Sequence, residues 1–146
     1  MEPLSALSIA TAVVQFLDFA ANIVSGTREI YKNSPDHAQR NVDLKTVTKS
    51  LVTLNNDIRD SLSHTDKRQL SARDWQIEEL AQRCKELGER LLAALQRLEI
   101  KRKHTLWSSF RLALRTIWSE SEIESMEKTL EKYQRQISLH LLFSTR

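Results

Sequence analysis

One cysteine, two glycines and two prolines are all that this 146-residue sequence holds of the residues that staple, loosen or break a chain. The lone Cys84 rules out an internal disulfide and suits a reducing compartment. Its place on an inward-facing seam reads as a buried structural thiol. Two isolated glycines, Gly26 and Gly88, cannot build a phosphate-cradling loop. Strand-forming residues never gather into alternating runs. Histidine is scarce as well: His37, His64, His104 and His140 fall on different predicted elements and offer no close-spaced ligand pair. Nothing resembles a nucleophile elbow, and the many acidic residues fall on outer helix faces, where solvated charge is the default. No metal, no other cofactor and no catalytic residue is expected, and the chain reads as a non-enzyme.

What remains is rich in Leu, Ala, Glu, Lys, Arg and Gln, the composition of helices joined by few tight turns. The length fits one domain, spanning 1–146, with enough chain to bury a core. The net charge of +3 is mild, but its distribution is uneven. Residues 1–27 contain Glu2 and Asp18 and no Lys or Arg, whereas residues 100–119 contain Lys101, Arg102, Lys103, Arg111 and Arg115 and no acid.

The acid-poor and base-free opening, "LSALSIATAVVQFLDFAANIVS" from Leu4 to Ser25, is nearly as apolar as a membrane span. A secretory signal needs a basic start, and Met-Glu-Pro is not one. A static span would hold Asp18 near its middle, at a cost of about 2.5–3.5 kcal/mol. The polar residues explain the segment better. Ser5, Ser8, Thr11, Gln15, Asp18 and Asn22 recur every three or four residues and draw one narrow stripe along a helix. Leu4, Leu7, Ile9, Val13, Val14, Phe16, Leu17, Phe19, Ile23 and Val24 occupy the other faces. Pro3 suits the first turn, and the helix is expected to run past Gly26 to Tyr31. So apolar a helix must be wrapped by others.

Further helical seams follow at the same intervals. Ser34-Pro35 is a helix start, and Leu44, Val47, Leu51, Leu54, Ile58 and Leu62 form the second seam. Residues 63–69 read as a loop. Ser71 and Asp74 resemble a capping box opening a third helix, whose seam is Ile77, Leu80, Cys84, Leu87, Leu91, Leu95 and Leu98. A shorter helix carries Trp107, Phe110, Leu114 and Ile117. Ser119 and Glu122 form a capping box for the last helix, with Ile123, Met126, Leu130, Tyr133, Ile137 and Leu141 inward. The fold class is all-α, an antiparallel bundle of four to five helices with the apolar N-terminal helix packed centrally.

Two features stand above ordinary core and solvated surface. The stretch "KRKHTLWSSFRLALR" sets Lys101, Arg102, Lys103, Arg111 and Arg115 where they can meet lipid head groups, ahead of nucleic acid in rank. The opening helix, if it leaves the bundle, can enter a bilayer, its polar stripe facing copies of itself or a water-filled pore.

"MEPLSALSIATAVVQFLDFAANIVSGTREIYKN" resembles the opening of the N-terminal domains of fungal NOD-like receptors (STAND, NACHT-type proteins), the HeLo-like group. "LWSSFRLALRTIWSESEIESMEKTLEKYQRQISLHLL" is similar to their second hallmark, with Phe110, Ala113, Leu114 and Trp118 in order. The resemblance implies a helical effector domain cut from a longer receptor, placed ahead of a nucleotide-binding oligomerisation module and repeats. It further implies regulated, programmed cell death in fungal heterokaryon incompatibility and innate immunity. Related domains expose an N-terminal helix that permeabilises membranes after oligomerisation. The expected partners are anionic membrane lipids on activation and further copies of the chain. The expected location is cytoplasmic, moving to the plasma membrane. An adaptor that recruits a separate helical effector domain without touching the membrane stays open.

Overall fold

Apolar stripes at helical spacing decide the assembly. The computed structural model describes residues 3–32, 44–63, 72–101 and 114–144. They form four helices: α1 (Pro3–Lys32), α2 (Leu44–Ser63), α3 (Ala72–Lys101) and α4 (Glu120–Ser144). No strand occurs among the described residues. The sequence-predicted helix starts at Ser34 and Ser71, residues 64–69 of the predicted loop, and Trp107 and Phe110 of the short helix lie outside them. Ser63, expected to open that loop, is instead the last residue of α2, its hydroxyl donating to the Asp60 carbonyl at 3.0 Å.

Every residue of the predicted α3 seam from Ile77 to Leu98 is buried, as are Ile123, Met126, Leu130 and Ile137 of α4. Tyr133 and Leu141 are half-buried against the same core. On α2, Val47, Leu51, Ile58 and Leu62 are buried, while Leu54 is half-buried. Leu114 and Trp118, in the helical turn ahead of α4, are buried as well, and both Ile117 and Trp118 return backbone N–H groups to the Leu114 carbonyl at 3.0 and 2.9 Å.

The start of α4 is set by its capping box. Ser119 Oγ accepts from the Glu122 N–H at 3.2 Å, and Glu122 Oε1 accepts from the Ser119 N–H at 3.2 Å. Two N–H groups that the helix itself leaves without partners are thereby satisfied.

Consecutive helices run antiparallel. Ser8 near the start of α1 meets Ser61 near the end of α2, their hydroxyls 3.1 Å apart. Asn55 of α2 donates through Nδ2 to the Gly88 carbonyl of α3 at 3.1 Å. The first turns of α3 line a groove with the last turns of α4. α1 packs against all three other helices, α2 and α3 form a hairpin, and α4 touches α3 only lightly. Helix α1 is therefore the centre of the bundle and the main seat of α4.

Candidate functional site

Among the described side chains of α1, nine apolar residues are buried: Ile9, Ala10, Ala12, Val13, Phe16, Leu17, Ala20, Ile23 and Val24. Val14 and Phe19 pack half-buried against the same core. The side chains of Leu4 and Ser5 lie outside the described residues. Leu7 differs from its neighbours, standing 57 % exposed.

The polar stripe has the opposite fate. Ser8, Thr11, Gln15, Asp18 and Asn22 are all exposed. The cause is the arrangement of partners: α2, α3 and α4 cover three sides of α1, and α2 and α4 scarcely touch each other. The uncovered fourth side is where the polar residues face water. Asp18 thus keeps its solvation, and the bundle buries only the face that gains from burial. The stretch Leu7–Ser25 has a mean hydropathy of 1.7, is long and apolar enough to cross a bilayer, and is half buried in the bundle. Core helices of soluble proteins share this property.

The centre of α1 is held by a close three-helix contact. A Cβ on Gly88 would meet the Asn55 side chain within its contact radius and the Phe16 ring edge at 3.0 Å. Gly88 lets α1 and α2 approach α3 here, and the Asn55 amide spans the gap. Asn55 Oδ1 is buried with no hydrogen-bond partner, so the junction holds a polar defect inside an apolar core. Asn55 stands four residues after Leu51 and three before Ile58, so the helical period of α2 sets it beside the buried seam; that α3 approaches there is decided by the neighbouring helix.

Cys84 is wholly buried, and burial pushes its thiol from 9.0 up to about 12. A thiol in that state is a packing group and not a nucleophile. Among the described residues no cluster of His, Cys, Asp and Glu is placed to hold a metal. Thr48 and Glu78 are the buried polar side chains among them, and Gln82 Nε2 donates to Glu78 Oε1 at 3.4 Å.

The basic stretch is only partly described. Lys101 closes α3, and Arg115 is exposed in the turn before α4. Arg102, Lys103 and Arg111 lie outside the described residues. Helix order puts Lys101 at the end of the bundle opposite Leu7. Sequence reasoning missed the exposed apolar residues Trp75, Leu139 and Leu142. A signal was present in "QISLHLLFS", where α4 becomes apolar on more than its seam.

The family model of the SesA domain, an N-terminal domain on NACHT NTPases and P-loop NTPases, matches residues 10–137 of the chain. The match spans all four helices. No curated protein and no solved structure matches the chain.

Proposed function

The chain belongs to the SesA family of N-terminal domains carried on NACHT and P-loop NTPases, and from that placement we propose that it is a non-enzymatic effector domain that acts by membrane permeabilisation and cell death. Clustering by the NTPase portion of such a receptor frees residues 4–24. These then enter the bilayer from a cytoplasmic bundle drawn to the plasma membrane. The observation that carries this reading is the sorting of faces on α1. Its polar stripe is already exposed as one continuous line, and the remaining faces are apolar over a membrane-spanning length. In an oligomer the stripe lines water and the apolar faces meet lipid, which removes the cost of Asp18 in hydrocarbon.

Release is not spontaneous on this account. Burial of a large apolar side chain is worth about 1.5–3 kcal/mol, and α1 contributes Phe16, Leu17, Ile9, Val13, Ile23 and Val24 to the core. Clustering and lipid together have to offset that sum. The central seat of α1 favours a second reading, in which the intact bundle signals through its surface as an adaptor.

Deleting α1 would dismantle the core, so the test uses its exposed face. Gln15→Leu/Asp18→Leu is expected to leave helicity unchanged and stability within about 0.5 kcal/mol, since both positions face solvent. The same variant is expected to lose dye release from anionic liposomes by about tenfold or more under artificial clustering, as the pore loses its polar lining. Unchanged release from the variant removes the stripe from the mechanism. Absence of release from the clustered parent chain sinks permeabilisation and leaves the adaptor.

A further inference from the structure

Four large apolar side chains stand out from the described surface: Leu7, Trp75, Leu139 and Leu142, each between 46 % and 57 % exposed. They come from three helices and share one end of the bundle. α1 and α3 begin there, and α4 finishes there. The Ser8–Ser61 contact ties the start of α1 to the end of α2. The groove lined by Gln76, Leu80 and Arg83 with Gln136, Leu139 and His140 ties the start of α3 to the end of α4. Leu139 and Leu142 lie off the inward seam of Ile137 and Leu141, so the last turns of α4 are apolar on a second face. A helix apolar on two faces has two environments to satisfy.

We propose that this end is a docking tip for the interfacial zone of a lipid bilayer, used by the closed bundle before α1 moves. The inference rests on the membrane reading above and supplies its first step. Three observations select lipid as the occupant. The four half-exposed side chains together offer on the order of a few hundred Å², short of the roughly 800 Å² per partner that a stable dimer needs. A fluid bilayer requires no matching surface, and Trp flanked by polar groups is favoured at its interface. Leu7 is at once a tip residue and lies near the start of the apolar stretch Leu4–Ser25, so docking brings the start of that stretch to lipid.

Among the described residues near the tip, Glu79 and Arg83 are paired at 2.6 Å. Docking through the four apolar side chains is expected to be indifferent to salt and independent of anionic lipid. Contact through the basic stretch has the reverse properties and presents the other end of the bundle. The two ends are separated by the length of α3, about 45 Å for its 30 residues.

The experiment is vesicle flotation of the full chain on purely zwitterionic and on anionic vesicles, at low and high salt. The parent is compared with Leu139→Ser/Leu142→Ser, Trp75→Ser and Lys101→Glu/Arg102→Glu. The parent is expected to float with zwitterionic vesicles at both salt levels. The tip variants are expected to lose about tenfold in partitioning with circular dichroism unchanged, and the basic variant to behave as the parent. Binding lost only in the basic variant, or found only on anionic vesicles at low salt, overturns the tip and leaves the membrane reading standing. Failure to float on any vesicle overturns it too, and a dimer in sedimentation abolished by the tip variants would then make this end a protein contact. Dye release is scored separately: docking without release upholds the tip while sinking permeabilisation.

Discussion

At Gly88 the bundle closes over a space that a methyl group would overfill. Gly88→Ala gains up to about 1 kcal/mol in helix propensity, yet its Cβ runs into the Asn55 side chain and the Phe16 ring. Overpacking of this kind costs about 1–3 kcal/mol, so net destabilisation is expected in urea denaturation. Shortening Asn55 to Ala removes the nearest obstruction and the buried oxygen that has no partner. The double variant Asn55→Ala/Gly88→Ala is therefore expected to be more stable than the sum of the single effects, a coupling readable in a double-mutant cycle. Cys84 gives a second test. Its folded state keeps the proton up to about pH 12, while the unfolded chain releases it near pH 9. Protonation is thus favoured by folding, and the contribution is fully present below about pH 9. Above that it is lost by up to about 1.4 kcal/mol per pH unit. Denaturation midpoints measured from pH 7 to 11 should fall more steeply for the parent than for Cys84→Ala. A thiol reagent at pH 8 should label Cys84 only as the chain unfolds.

The elements differ in how much of each is self-specified. α4 carries its own start signal, since Ser119 and Glu122 cap each other across the first turn. Ser119→Ala is expected to cost about 1 kcal/mol and to raise amide exchange at Ser121 to Ile123 before any global loss. α1 has a one-sided polar stripe but little else to hold it as a helix in water, and its stability comes from the three helices around it. The end of α4 departs from a simple seam at Leu139 and Leu142, and these two residues report on what lies outside the bundle.

Across the whole molecule the contacts are unequal. α2 and α3 hold each other, whereas α4 is held chiefly by α1. Any change that loosens α1 should loosen α4 with it. Phe16→Ala, at a fully buried position, is expected to cost about 3–5 kcal/mol. In native-state hydrogen exchange α1 and α4 are expected to open as one unit, with the α2–α3 hairpin protected longest. If α4 instead exchanges independently of α1, α1 is not its main support. Should α1 leave for a membrane, the apolar seam of α4 is uncovered in the same event.

Much of this was legible in the residues themselves. The three- and four-residue spacing of Ile77 to Leu98 and of Ile123 to Leu141 predicts both seams, because helical period turns spacing directly into a face. The capping box at Ser119 was equally plain, being a local bond pattern four residues long. The stripe from Ser8 to Asn22 was visible as a line, but whether it faced water or a partner depended on α2 and α4 standing apart. α3 closes on Asn55, Leu7 and Leu142 turn outward, and Lys101 lies at the far end from Leu7, all through the relative placement of helices distant in sequence. Local order was thus determined by nearest-neighbour periodicity and capping. Which faces were covered was decided only when helices far apart in sequence packed together, since burial belongs to pairs of surfaces and no single segment holds both.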